Sequence, residues 1–150
     1  MSHLPKYSWA LLILAVLGVA ISAVSLKNHY SSEETSYCSF DETFNCDLVN
    51  RSIYSSIHDV PVALIGLLGY GMIAALSRFA PRSRRIAALL VAFALVGLGF
   101  ALYLTYIEAR VLGVWCILCL SSQAIILAIT VLSFVVFFAA GRKQLPVPAK

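Results

Sequence analysis

Four apolar runs dominate this sequence, and each is long enough to cross a lipid bilayer as a helix. We predict them at 8–26, 60–79, 86–107 and 115–140. A helix that crosses the hydrocarbon core takes about 20 residues. The mean hydropathy of +0.89 and the charged fraction of 12% agree with this prediction, because soluble domains carry about 25% charged residues. The sequence therefore predicts an all-α fold, an integral membrane four-helix bundle forming a single domain over 1–150.

The first run also has the features of a cleaved secretory signal, with Lys6 ahead of it and small residues over 20–23. Its length of about 18 residues exceeds the roughly 7 to 15 residues of a usual signal core. A retained first helix also gives an even number of spans, which places both termini on one side. In the second run, Gly66, Gly69 and Gly71 are predicted to be packing positions, since small residues let membrane helices approach closely.

Basic and acidic residues are unevenly distributed between the two sides of the predicted membrane bundle. One side of the predicted bundle has eight of the eleven Lys and Arg residues: Lys6, Arg78, Arg82, Arg84, Arg85, Arg142, Lys143 and Lys150. All seven acidic residues lie on the other side: Glu33, Glu34, Asp41, Glu42, Asp47, Asp59 and Glu108. Basic loops stay in the cytoplasm. We therefore expect a multi-pass protein of the cell inner (cytoplasmic) membrane. Both termini should face the cytoplasm, so that 141–150 forms a cytoplasmic tail. The basic cluster from Arg78 to Arg85 is interpreted as a topology determinant, with no nucleic-acid binding.

The longest connection, at 27–59, is then an extracytoplasmic loop, and loops of that length are usually functional or disordered. Apolar side chains at 49, 53 and 57 have the spacing of one helical face. We predict a short amphipathic helix over 47–57, capped by Asp47, that lies over the mouth of the bundle.

All four cysteines fall on the predicted extracytoplasmic side, where disulfides form and persist. Cys38 and Cys46 lie in the long loop, whereas Cys116 and Cys119 are at the start of the fourth apolar run. Two cysteines three residues apart in a helix share one face and can form a disulfide. The helix N-terminus favours a thiolate at Cys116, which should face the water and the loop, while Cys119 lies deeper.

A structural zinc site is the alternative for four cysteines, since Cys-x-x-Cys is also a zinc half-site. Cys38 and Cys46 would be a poor second half of a zinc site, because seven residues separate them. We therefore predict redox chemistry and no metal. A non-catalytic tetracysteine membrane protein, metal-binding or an assembly partner, remains the alternative from a different class.

The order of a loop Cys-x7-Cys, a polar segment and then Cys-x-x-Cys at the last helix resembles the vitamin K epoxide reductase family, in its bacterial branch. The resemblance covers roughly 8–140. It includes Val49, Ser52 and Tyr54 after the loop cysteines, and Pro61 to Tyr70 at the entry of the second helix. Bacterial relatives often carry a fused thioredoxin-like domain, for which this chain has no room. The resemblance therefore implies a separate periplasmic thioredoxin-like dithiol partner.

The resemblance also implies roles for the cysteines. A quinone of the ubiquinone or menaquinone class is expected within the bundle, with Cys119 nearest its ring. Cys116 exchanges with Cys46, and Cys38 meets the external partner. Thiol exchange through mixed disulfides is consistent with this order. Physiological reduction of a quinone or of vitamin K epoxide is the alternative direction.

Three polar residues complete the predicted site. Gln123 lies on the helical face of Cys119, so its amide is a candidate quinone contact, with an interhelical hydrogen bond as the alternative. Ser122 is the second candidate contact, with a bond back to its own helix as the alternative. Ser52, through the family pattern, is predicted to organise the loop by hydrogen bonding.

Overall fold

The computed structural model describes residues 4–31, 39–41 and 43–142. Within these ranges it has five helices: α1 (Leu4–Tyr30), α2 (Cys46–Asn50), α3 (Val62–Phe79), α4 (Arg84–Ile107) and α5 (Ile117–Arg142). All except α2 are long and apolar enough to cross a membrane. The prediction of an all-α membrane bundle is confirmed, and the chain is a multi-pass membrane protein. Helices α1, α4 and α5 extend past at least one end of their predicted spans, whereas α3 begins two residues later than predicted. Lys27 therefore belongs to α1 rather than to the loop, and α5 reaches Arg142.

The four long helices form a closed ring, in which α1 packs on α3 and α5, and α4 packs on α3 and α5. The core between them is apolar, and its largest fully buried side chains are Leu11, Leu90, Ile129 and Val136. Many other large apolar side chains are exposed, for example Val96 at 72%. This is the pattern of a bundle whose outer surface faces lipid rather than water.

Close helix packing depends on a glycine outside the three predicted ones. A Cβ atom built on Gly18 would lie 2.4 Å from the ring of Tyr70, so α1 and α3 approach as they do because Gly18 has no side chain. Gly66 does face a neighbour, since its Cβ would lie 3.0 Å from Ser22 Oγ. The packing prediction is wrong for Gly69 and Gly71, where a Cβ would meet open space.

The connection between α1 and α3 contains a short helix, as predicted, but a shorter one with a different cap. Helix α2 begins at Cys46, and the side chain of Asn45 accepts a hydrogen bond from the Leu48 N–H at 2.9 Å. Asn45 rather than Asp47 is therefore the N-cap. Of the predicted apolar face only Val49 is buried, while Ile53 is 83% exposed.

The predicted helix over 47–57 ends early because the chain reverses direction. A 3-10 turn over Ile53–Ser55 leads into strand β3 (Ser56–Ile57), which pairs antiparallel with β4 (Val60–Pro61). The two residues between them, His58 and Asp59, have positive φ values of 49° and 64°, as a tight two-residue hairpin turn requires. An earlier pair, β1 (Ser39–Asp41) and β2 (Phe44–Asn45), leads into α2.

The last turn of α4 widens into a π-helical segment over Glu108–Leu112, which ends at Gly113 with φ at 67°. Single π-helical turns inside α-helices are rare and frequent at functional sites. This turn directs Glu108 inward, where it is 2% exposed.

The two ends of the bundle differ in chemistry. At one end Ser8 Oγ donates a hydrogen bond to the Ser77 carbonyl at 2.6 Å, and Arg84 lies over the ring of Phe137. The α1–α3 connection and the start of α5 lie together at the opposite end, where Arg51 donates a hydrogen bond to the Ser31 carbonyl. Cys46 and the Cys-x-x-Cys pair are therefore at the same end, away from the basic cluster.

Candidate active site

The backbone before Cys46 pairs with the backbone before Cys116. Phe44 and Trp115 form a parallel β-bridge. The Asn45 N–H donates to the Trp115 carbonyl at 3.1 Å, and the Trp115 N–H donates to the Thr43 carbonyl at 2.8 Å. Each cysteine follows directly on this pairing, so the two cysteines are held side by side by main-chain hydrogen bonds.

Cys46, Val49 and Cys116 form one buried cluster, with the partly buried Leu118 and Cys119 packed against it. Both Cys46 and Cys116 are 0% exposed. The expectation that Cys116 faces the water is wrong, because the segment that begins with Cys46 covers it. The expectation that it faces the loop is met.

The redox states of the cysteines differ. Cys46 is disulfide-bonded. Since Cys116 and Cys119 are both free thiols, neither is its partner. Cys38, to which the sequence assigns contact with an external protein, lies outside the described residues.

Cys116 occupies the N-cap position of α5. Its Sγ atom accepts a hydrogen bond from the Cys119 N–H at 3.4 Å, and its carbonyl accepts one from the Leu120 N–H at 3.0 Å. A hydrogen bond from the Cys119 side chain holds the pKa of the Cys116 thiol below its ordinary value, against the opposing effect of burial. The N-terminal end of a helix stabilises negative charge in the same direction. Cys116 is thus the thiol of the pair that ionises more easily.

Glu108 contacts the same pair from the π-helical turn. Its Oε2 atom accepts a hydrogen bond from the Cys116 N–H at 3.1 Å, and its carboxyl group interacts with the Cys119 thiol. Glu108 Oε1 is buried and has no hydrogen-bond partner among the described residues. The sequence prediction did not select Glu108, although a lone acidic residue next to an apolar run is a signal for a functional group.

A cavity of about 590 Å³ lies between the long helices and reaches Cys119. Apolar side chains such as Ile73, Phe100 and Leu104 form most of its wall. Its size falls in the range of roughly 300 to 1,000 Å³ that is typical of small-molecule sites, which are mostly apolar with a few polar groups.

The family model of the vitamin K epoxide reductase family matches residues 9–134, which is most of the chain and includes the cysteine pairs, the cavity and Glu108. The chain belongs to this family. Comparison with individual curated proteins gave no significant match. Family membership and the four membrane-spanning helices make the protein a membrane oxidoreductase. Vitamin K epoxide reductase family enzymes act on quinones and work with thioredoxin-like partners.

The polar wall of the cavity in this vitamin K epoxide reductase family member includes Asn50. Its side-chain Oδ1 accepts a hydrogen bond from Ser25 at 2.7 Å, and its backbone carbonyl accepts one from His29 Nδ1 at 2.6 Å. Asn50 Nδ2 is buried and has no partner among the described residues. A buried amide that lacks a partner is costly, so a ligand carbonyl in the cavity would stabilise this donor. The sequence prediction missed both Asn50 and His29, because neither lies in a recognisable motif.

The two predicted ligand contacts on α5 differ. Ser122 lines the cavity, and its hydroxyl is 2.8 Å from the hydroxyl of Tyr70, which also donates to the Ser122 carbonyl. Ser122 therefore bonds across to α3. Gln123 is not among the cavity-lining residues. Its side chain accepts a hydrogen bond from Thr105 on α4, which is the interhelical alternative rather than a ligand contact.

Ser52 lies where α2 ends. Its hydroxyl donates to the Val49 carbonyl at 2.8 Å, and its own carbonyl accepts hydrogen bonds from the N–H and hydroxyl of Ser55. It also contributes to the cavity wall. These contacts agree with the predicted organising role of Ser52.

The described residues contain no group of three or more His, Cys, Asp or Glu side chains that could hold a metal ion. A four-thiolate zinc site needs every cysteine as a free thiolate. In the disulfide-bonded state that the structure shows, Cys46 cannot act as a thiolate ligand of such a site.

Proposed function

We propose that the protein is a quinone-dependent thiol-disulfide oxidoreductase that supports disulfide formation in partner proteins. Electrons pass from a thioredoxin-like dithiol protein to the Cys38–Cys46 pair, then to the Cys116–Cys119 pair, and finally to a quinone. The observation that carries the proposal is the backbone pairing of Phe44 with Trp115, since it holds a loop cysteine beside a thiol of the pair next to the cavity.

The first exchange takes place at the outer pair. Cys46 is disulfide-bonded, and Cys38 is the remaining cysteine in the sequence, so we assign it as the partner. A thiolate of the external dithiol protein attacks Cys38, and Cys46 leaves as a thiolate. The second thiol of the external protein then releases Cys38, so that protein becomes oxidised and the loop pair is reduced.

The second exchange joins the two pairs. The Cys46 thiolate attacks the Cys116 sulfur of a Cys116–Cys119 disulfide, which forms a Cys46–Cys116 bond and releases Cys119 as a thiolate. Cys38 then attacks Cys46, restores the loop disulfide and frees Cys116. The shared burial of Cys46 and Cys116 supports this order, because neither thiol has to cross the cavity to meet the other.

The cavity residues fit a quinone. The apolar wall suits its ring and tail, the unpartnered Asn50 Nδ2 suits a ring carbonyl, and Cys119 and Ser122 lie in the wall of the same cavity. A bound quinone supplies the two-electron acceptor that turns the Cys116–Cys119 dithiol into a disulfide.

Direct electron transfer to the acceptor is tested by Cys119→Ala. We expect the variant to lose quinone reduction while Cys38 and Cys46 still form a disulfide, because the removed thiol is the one that lines the cavity. Ser121→Ala, an exposed neighbour on α5, is the matched control and should keep normal turnover. Normal quinone turnover in the Cys119→Ala variant would remove Cys119 from the mechanism.

A further inference from the structure

Glu108 is a charged residue in an unusual place, since it is 2% exposed and lies at the end of a membrane-spanning helix. Ionisable side chains in such positions are expensive to bury and usually functional. One carboxyl oxygen is occupied by the Cys116 N–H. The other, Oε1, has no hydrogen-bond partner among the described residues.

The position of the carboxyl group relates it to the reacting thiols. Glu108 and Cys119 both line the cavity, and the carboxyl group interacts with the Cys119 thiol. A group that only positioned Cys116 would need one acceptor atom, and a neutral amide would supply it equally well. That role leaves the second carboxyl oxygen, the buried and unpartnered Oε1, without a function.

We propose that Glu108 is the proton acceptor for the cysteine pair, taking the proton of the Cys119 thiol at Oε1 and releasing it towards the cavity. This inference rests on the proposed function. Oxidation of the Cys116–Cys119 dithiol gives one disulfide bond, two electrons and two protons. The electrons go to the quinone-class acceptor, whose reduction consumes two protons. Glu108 carries one of these protons and returns to the carboxylate, so it is neither consumed nor oxidised.

Few other groups near Glu108 can take up this proton. Among the described residues the other titratable side chains of the cavity wall are His29, Tyr54, Tyr70 and Cys119. Outside the wall, Cys116 lies against Glu108, and helix α2 contributes the buried Asp47. His29 Nδ1 is bonded to the Asn50 carbonyl, and the Tyr70 hydroxyl is bonded to Ser122. Within the part of the chain that the structure describes, Glu108 is the one carboxyl group in the wall of the cavity.

The test measures thiol chemistry without a quinone or a partner protein. The parent is the full chain with Cys38→Ser and Cys46→Ser, reduced and stripped of quinone in detergent. The rate of Cys116–Cys119 disulfide formation with a small soluble disulfide is followed against pH for the parent, Glu108→Gln and Glu108→Asp. Gln keeps an acceptor for the Cys116 N–H but cannot take a proton at neutral pH, and Asp keeps the carboxyl group.

We expect Glu108→Gln to slow disulfide formation about 100-fold at neutral pH, within the range for a lost general base. The deficit should shrink as the pH rises and hydroxide replaces the carboxylate, and Glu108→Asp should recover part of the rate. An unchanged rate and pH profile in Glu108→Gln would overturn the proposal. If Glu108→Gln does not fold, Glu108→Ala, which also lacks the carboxyl group, takes its place, and a rate and pH profile equal to those of the parent in that variant would overturn the proposal.

The result of this thiol measurement can be distinguished from a test of the proposed function. A pH-dependent defect in Glu108→Gln without any quinone supports the role of Glu108 even if the physiological acceptor differs. Conversely, failure of the unsubstituted protein, with all four native cysteines, to reduce a quinone contradicts the proposed function but leaves the thiol measurement unaffected.

Discussion

Phe44 and Trp115, although far apart in the sequence, pair their backbones in parallel. Cys46 and Cys116 lie just beyond this pairing and share one buried cluster. Main-chain hydrogen bonds, rather than side-chain contacts alone, therefore set the distance between the loop and the last helix. This arrangement places Cys46 and Cys116 together for the direct exchange that the proposed relay requires.

The close approach of α1 to α3 predicts that Gly18→Ala destabilises the bundle. Its Cβ would lie 2.4 Å from the Tyr70 ring, and overpacking of this kind costs about 1–3 kcal/mol. Gly71→Ala is the matched control, because its Cβ meets open space and alanine favours a helix over glycine by up to about 1 kcal/mol. Thermal unfolding in detergent should separate the two variants. Equal stability of both would contradict the packing described for Gly18.

The lowered pKa of Cys116 predicts a thiolate at lower pH than for an ordinary cysteine. The largest cause is the hydrogen bond from the Cys119 side chain, so Cys119→Ala should shift thiolate formation to higher pH. Ultraviolet absorbance of the thiolate, in reduced protein with both loop cysteines changed to Ser, gives the two titrations. Coinciding titrations would show that Cys119 does not stabilise the Cys116 thiolate.

The lowered pKa of Cys116 also makes the stability of the reduced protein depend on pH. A thiol whose pKa is lower in the folded state stabilises that state fully above its unfolded pKa. This contribution is lost as the pH falls through the folded pKa. The reduced parent should therefore lose more stability on acidification through this interval than Cys119→Ala does.

The distribution of charge predicts that the α1–α3 connection faces the outside of the cell, since eight of eleven basic residues belong to the other side. Two single-cysteine variants, free of the native cysteines, test this. Ile53→Cys replaces a side chain that is 83% exposed at one end. Ser83→Cys is at the opposite end and leaves every basic residue in place. A membrane-impermeant maleimide should label Ile53→Cys in intact cells and Ser83→Cys only after lysis. The reverse pattern would invert the topology.

The sequence was sufficient to predict the four spans and the position of a cysteine pair at the start of α5, because both depend on patterns within a single segment. The amphipathic spacing at 49, 53 and 57 failed as a predictor of helix length. There the turn at His58 and Asp59 reverses the chain, and the cap at Asn45 starts the helix earlier.

The direction of individual polar side chains was harder to predict. Gln123 lies only four residues beyond Cys119, yet it bonds to Thr105 on α4, since the rotation of α5 is set by contacts that its own sequence does not contain. Glu108 faces the cysteine pair because α4 ends in a π-helical turn. No periodic pattern in the sequence marks that turn.

The most direct test of the relay is the disulfide that forms in Cys38→Ser. Without Cys38 the Cys46–Cys116 bond has no internal thiol to resolve it toward the loop, so it should accumulate. Non-reducing mass spectrometry after proteolysis should then show a peptide with Cys46 joined to one with Cys116. The companion variant Cys46→Ser, which keeps Cys38, should not yield a cross-link to Cys116. Finding only Cys116 joined to Cys119 in Cys38→Ser, with Cys46 persistently free, would contradict the proposed relay.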